Sequence, residues 1–201
     1  AQSAKPHRRR YPPLHCPTEG DSSFYLQGHI LGHQLGLYLG LADFLDIDEK
    51  IIDLAELVEF DRTPITDIKE ISDCDVGIIE GGVCNAENVE VLREFRKHAR
   101  ILVSMGACAI SGGIPAMRNQ YSLEECLNES YIDGVGIADA QIPNDIEIPM
   151  LLNKVHPIHE VVRVDHFLPG CPPSGDTIWT FLTELIEGKP ISFPYEQIHY
   201  D

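Results

Sequence analysis

The chain has 201 residues, 43% of them hydrophobic, which is enough for one well-packed core and short for two. Its formal net charge of −17 excludes nucleic acid and anionic membrane as main partners, because both would repel it, and favours a small molecule, a metal centre or a protein. Six cysteines without a C-x-x-C or any regular spacing do not describe a secreted disulfide framework, so a reducing cytoplasm is the expected compartment.

The first 42 residues differ from the rest. They carry Lys5 and Arg8, Arg9 and Arg10 against Glu19 and Asp21, a balance of +2, whereas residues 43–201 have a balance of −19. His7, His15, His29 and His33 also fall there, four of the nine histidines. The stretch "YLQGHILGHQLGLYLGLADFL" at 25–45 is too polar for a bilayer span, with two His, two Gln and an Asp. The expected division is a loose tail over 1–23 and one domain over 24–201, of which 24–42 conforms least.

From Phe44 the pattern is regular. Phe44, Ile47, Ile51, Leu54 and Val58 follow a helical period with acidic residues between them, which predicts an amphipathic helix. "VGIIEGG" (76–82) reads as a strand buried on both faces, ending in glycines. Asn85 then suits the N-cap of a helix with Val89, Leu92 and Phe95 inward, and Arg96, Lys97, His98 and Arg100 complement its dipole at the far end. "ILVSM" (101–105) predicts a second buried strand, broken by "GACA", and residues 122–132 read as helix. "HEVVRVDHFL" (159–168) alternates like a third strand. After the turn "PGCPPSGD", a final helix turns Ile178, Phe181, Leu182 and Leu185 inward and ends at Gly188 and Pro190.

Strand, loop and helix in series imply right-handed crossovers, hence an α/β fold with a mainly parallel sheet and helices on both faces. Ligands in such sheets bind outside the carboxyl ends of the strands. "EGGVCN", "GACA" and "LPGCPPSGD" are all expected on that edge. An iron–sulfur centre needs thiolates on loops whose backbone N–H groups point inward. Gly106 allows close approach beside Cys108, and Pro172 and Pro173 suit the first turn of a helix whose positive end would face charge near Cys171. On spacing alone, two isolated cysteines are read first as small buried thiols filling tight corners, because they are no metal motif. Cys74 and Cys126 read as structural, Cys84 lies between, and Cys16 takes no assignment. Glu80 ends a buried strand and is read either as a helix cap or loop hydrogen-bonder or as a proton-handling or backbone-clamping group. His156 and His159 form only a weak metal pair, and "EGGVCNAEN" has no dinucleotide fingerprint.

From about Phe44 to Asp201 the chain closely resembles the small subunit of [NiFe] hydrogenases, in the short form found in soluble NAD-reducing enzymes. The resemblance is carried by "FLDIDEKI", "VGIIEGGV", "ILVSMGACAISGGIPAMRN", "HEVVRVDHFLPGCPPSGD" and "IHYD". It implies a flavodoxin-like fold and one [4Fe–4S] cluster with Cys108 and Cys171 as ligands. It also implies a Ni–Fe centre in a partner large subunit, and further flavin and iron–sulfur subunits that reduce NAD. Some enzymes of this group are described with FMN near this subunit, for which no residue here is matched. The quinone-site subunit of respiratory complex I shares this ancestry but carries adjacent cysteines, which this chain lacks.

The family's remaining two ligands form a C-x-x-C that falls here at Leu37 and Gly40, neither of which can ligate iron. Either half of the cluster site is lost, or residues before about 42 are out of the native reading frame. The shift in charge and histidine content where the resemblance begins favours the second. The resulting expectation is an electron-transfer subunit of a cytoplasmic NAD-reducing hydrogenase with no bond-breaking residue of its own; the alternative is a cluster-less, flavin-binding or scaffolding subunit.

Overall fold

The structure, a computed structural model, describes residues 25–30, 50–60 and 71–195. The expected tail, Cys16, Leu37, Gly40, the start of the helix predicted from Phe44, and the final "IHYD" lie outside these. β1 (Tyr25–Ile30), α1 (Lys50–Leu57) and β2 (Glu59–Phe60) are followed by β3 (Cys74–Glu80), β4 (Val83–Asn85), α2 (Ala86–His98) and β5 (Ala99–Met105). Next come α3 (Gly106–Ser111), a 3-10 helix (Ile114–Gln120), α4 (Leu123–Tyr131) and β6 (Leu151–His156). A short 3-10 helix (Ile158–Glu160), β7 (His166–Leu168) and α5 (Gly175–Ile186) complete the described elements.

One five-stranded sheet runs β2-β1-β3-β5-β7, with every pairing parallel. Counted within this sheet, the order is 2-1-3-4-5, the flavodoxin-like form of the doubly wound fold. Both faces are covered, which is why β3 and β5 read as unbroken apolar runs. Val76, Ile78, Val103 and Met105 meet Ile178, Phe181 and Leu182 of α5 on one face. Ile79 and Leu102 meet Leu92 and Phe95 of α2, Ala109 of α3 and Ile158 on the other. A Cβ at Gly77 would lie 2.5 Å from Phe95 Cε1, so the glycine sets how closely α2 packs on β3.

Local side-chain chemistry sets the helix termini. Asn85 caps α2 by accepting from the Asn88 N–H at 2.7 Å. Ser122 and Glu125 form a capping box on α4. α5 has Ser174 as its N-cap and buries the four apolar residues expected.

Two elements depart from expectation. The strand predicted over 159–168 is confined to His166–Leu168, because the chain reaches the sheet only at Asp165. The Asp165 N–H donates to the Leu102 carbonyl at 2.9 Å, its carboxylate accepts from the Leu102 N–H at 3.0 Å, and Arg96 pairs with it at 3.2 Å. Before that clamp, Val161, Val162 and Val164 pack on the α2 side as an irregular segment. The second departure is β6, which pairs antiparallel with β4 in a separate two-stranded sheet. The other side of β6 is taken by side chains: the Asn119 amide both donates to and accepts from Val155, at 2.8 and 2.7 Å. Arg118 donates to the carbonyls of Leu152 and Asn153.

Candidate functional site

The carboxyl edge of the sheet brings the two loop cysteines into equivalent positions. Met105 and Leu168 are register partners at the ends of β5 and β7, and Cys108 and Cys171 each follow three residues later. The Ala107 N–H donates to the Gly170 carbonyl at 2.8 Å, joining the two turns one residue ahead of the thiols. Gly106 leaves room there, its absent side chain facing that carbonyl. Cys108 is half-buried and Cys171 exposed, and both are free thiols.

Cys108 sits in the first turn of α3, so "GACA" starts a helix rather than only breaking the strand. Burial pushes the Cys108 thiol above its ordinary value, the neighbouring Cys171 adds to this, the Ile114 N–H donating to the sulfur opposes it, and Glu80 raises it further. The double glycine after α3 shapes this cradle. Gly113 has φ 51° and ψ −144°, a backbone state that favours glycine. A Cβ there would stand 2.8 Å from the Cys108 sulfur. Sequence reasoning missed Gly113 and Ile114; the one signal for them was a glycine pair shortly after a cysteine.

Cys171 differs from expectation in one respect. The prolines behind it form a turn, with a cis bond between Cys171 and Pro172, and α5 begins only at Gly175. The free N–H groups of that helix are therefore not presented at the cysteine: Ser174 accepts from Thr177, and Asp176 in the first turn pairs with Lys50 at 2.7 Å.

Glu80 ends β3 in register with Ile30 of β1 and interacts electrostatically with Cys108. The remaining cysteines stand apart from this pair. Cys74 is buried at the opposite end of β3, and Cys126 lies on α4. Cys84 donates to the Asn88 side chain at 3.2 Å; burial raises its thiol value against the opposing charge of Arg118. His156 pairs with Glu160 at 2.6 Å, while His159 meets Phe167 edge to face. No group of three or more His, Cys, Asp or Glu side chains able to hold a metal forms among the described residues.

A [4Fe–4S] cluster of this kind takes four cysteine thiolates. The described residues bring two thiols together, which fits half of that set and does not complete it. Leu37 and Gly40, where the resemblance leads to the expectation of a C-x-x-C, carry no sulfur. No helix among the described residues is long and apolar enough to cross a membrane.

A doubly wound parallel sheet of this order, with two cysteine turns tied together at its carboxyl edge, defines a flavodoxin-like α/β subunit. Residues 41–185 match the family described as NADH ubiquinone oxidoreductase, 20 Kd subunit. The NAD-reducing hydrogenase HoxS subunit delta of Cupriavidus necator is 46% identical over 162 residues, covering 79% of this chain and 78% of that one. A subunit of the F420-non-reducing hydrogenase of Methanothermobacter thermautotrophicus is 39% identical over 82% of this chain, which spans only 54% of that protein. Among solved structures, a chain of an NAD+-reducing [NiFe]-hydrogenase in the H2-reduced state superposes with TM-score 0.84 at 50% identity, covering 90% of this chain and 100% of the other. A [NiFeSe] hydrogenase chain from Dm. baculatum, 13% identical with TM-score 0.53, shares the fold. The chain therefore belongs to the 20 Kd subunit family, among the small subunits of NAD-reducing [NiFe] hydrogenases. The family match begins just past Leu37 and Gly40.

Proposed function

We propose that this chain is the electron-transfer subunit of a cytoplasmic NAD-reducing [NiFe] hydrogenase, with H2 split at a Ni–Fe centre in a large partner subunit and NAD reduced by flavin and iron–sulfur partners. The observation that carries this reading is the placement of Cys108 and Cys171 three residues beyond the paired ends Met105 and Leu168. The relatives named for hydrogenases support it.

Cys108 and Cys171 are the residues that would ligate a [4Fe–4S] cluster, which when bound supplies one-electron storage. Around them the chain's own groups have defined tasks. The Ile114 N–H stabilises negative charge on the Cys108 sulfur, and Gly113 lets the backbone close over it. The Ala107 to Gly170 bond fixes the separation of the two turns. Glu80, which interacts electrostatically with Cys108, would either handle a proton at this rim or clamp the neighbouring backbone. Anaerobic iron and sulfide analysis of the assembled complex tests the proposal: about four irons attributable to this subunit, beyond those of its partners, are expected, and a lower number counts against a complete cluster.

A second reading rests on the two-thiol count: a subunit of the same fold without the cluster, binding FMN or scaffolding the large subunit. Resolved flavin bands in the visible spectrum, in place of a broad brown shoulder, would favour it. The domain division, with a tail over 1–23 and a non-native frame before about residue 42, is checked by an intact mass and peptide map. Peptides matching "YLQGHILGHQLGLYLGLADF" would remove the frame explanation and leave a site with half its ligands.

A further inference from the structure

Between α4 and β6 lies a segment that no intramolecular core explains. Residues 132–150 contain no helix or strand and are almost all exposed. Connections this long without regular structure inside a compact domain serve a function or are linkers. Its composition does not suit a linker: Val135 and Ile146 are wholly exposed, Met150 is 80% exposed, and Ile132, Ile137, Ile142 and Ile148 are exposed as well. Large apolar side chains gathered at this density on a surface mark a contact site.

The segment is also held in shape. Its start is tied by the N–H groups of Ile132 and Asp133, which both donate to the Asn128 carbonyl. The Ile137 N–H donates to Gly134 and the Ile148 N–H to Asp145, whose carboxylate also accepts from the Glu147 N–H at 2.9 Å. Its end is tied by the Met150 carbonyl, which accepts from the Ala86 N–H at 2.9 Å beside Cys84 and Asn85. An arm pinned at both ends with its apolar side chains outward loses little entropy on docking.

Charge selects the occupant. Asp133, Asp139, Asp145 and Glu147 interleave with the apolar residues, and no Lys or Arg stands between Ile132 and Leu151. A second copy of this chain would bring the same acidic arm, within a net charge of −17, against itself. We infer that residues 132–150 form a docking arm for another subunit of the hydrogenase assembly, one presenting an apolar face rimmed by Lys and Arg. This rests on the assignment of the chain to such an assembly.

The test uses the full chain, affinity-tagged and co-expressed with its hydrogenase partner subunits. In the purified complex, backbone amides of 132–150 are expected to exchange hydrogen more slowly than in the chain alone. The double variant Val135→Asp, Ile146→Asp, whose side chains touch no core, is expected to keep the far-UV spectrum of the unchanged chain. It should recover the partner subunits at least about tenfold less well, and a Val135→Ala, Ile146→Ala control should fall between. Slower salt-sensitive assembly is expected when Asp139 and Asp145 become Asn. Equal recovery of the Asp variant, or unchanged exchange in the intact complex, overturns the inference. So does a homodimer of the isolated chain that the same substitutions abolish. If the unchanged chain recovers no hydrogenase subunit at all, the assembly assignment fails instead.

Discussion

The Ala107 N–H donates to the Gly170 carbonyl, joining the β5 and β7 turns one residue ahead of Cys108 and Cys171. The thiol separation is thereby set by the sheet itself, since the turns leave register-paired strand ends. Side-chain rotation adjusts that separation but does not create it.

Alkylation of the cluster-free chain should proceed in a fixed order. Cys171 is exposed, whereas the Cys108 thiol is half-buried and raised, so at neutral pH Cys171 is modified first and Cys108 only as the pH climbs. Cys171→Ser should bring the Cys108 titration down more than Glu80→Gln, because Cys171 is the larger of these two contributions. Mass-resolved labelling across pH measures both; Cys108 reacting first would contradict this picture.

Gly113→Ala should cost roughly 1–3 kcal/mol, since it places a methyl group against the Cys108 sulfur in a backbone state that L-residues avoid. Urea unfolding of the isolated chain reads the loss. Gly136→Ala is the comparison: its φ is also positive at 84°, but nothing lies within 4 Å. A smaller loss is expected there, because Gly136 has neither the contact with a sulfur nor a neighbour of any kind at its Cβ position.

Asp165→Ala removes a carboxylate that is only 3% exposed and leaves the Leu102 N–H without that acceptor. A loss of about 3–5 kcal/mol is expected. Arg96→Ala should cost less, because its side chain is 25% exposed. The double variant should lose less than the sum of the two. Strict additivity in denaturant unfolding would show that the pair does not interact.

His166 gives a pH dependence with a definite sign. Burial lowers its value below that of an ordinary histidine, with Asp165 opposing, so the unfolded chain binds the proton more readily. Its stabilising contribution is present above the ordinary value of about 6.5 and is lost as the pH falls toward the lower folded value. His98 works in the opposite direction: hydrogen bonds to Asp73 and Glu94 raise it, so its contribution is present in acid and lost as the pH rises through the raised value. The difference between the unchanged protein and His166→Gln, followed by thermal unfolding from pH 8 to 5, isolates the first. It should shrink toward acid.

The main sheet was legible in the sequence because it is buried on both faces, so "VGII" and "ILV" carry continuous apolar runs with turn residues behind them. The helix cap at Asn85 was legible for a similar reason, being set by local side-chain chemistry, whereas the start of α5 at Ser174 was placed too early because two prolines also suit a first helical turn. β7 was overread because alternation at 159–165 arises equally from valines packing an irregular segment onto the core. β6 escaped notice because its partners are non-local and its edge is satisfied by Asn119 and Arg118, whose spacing carries no strand signal. Cys108 and Cys171 could be nominated, but their proximity depends on strand order, which two cysteines 63 residues apart do not reveal.

The side chains along β6 have a consequence for assembly and solubility. An exposed strand edge is a template on which a foreign strand can add, leading to aggregation or exchange of segments between copies. By accepting from the Val155 N–H and donating to the carbonyls of Leu152, Asn153 and Val155, Asn119 and Arg118 occupy groups on which such a strand would pair. A partner reaching this region must then read its side chains rather than extend its backbone ladder, so the edge remains closed to indiscriminate pairing while the neighbouring arm stays available for selective contact.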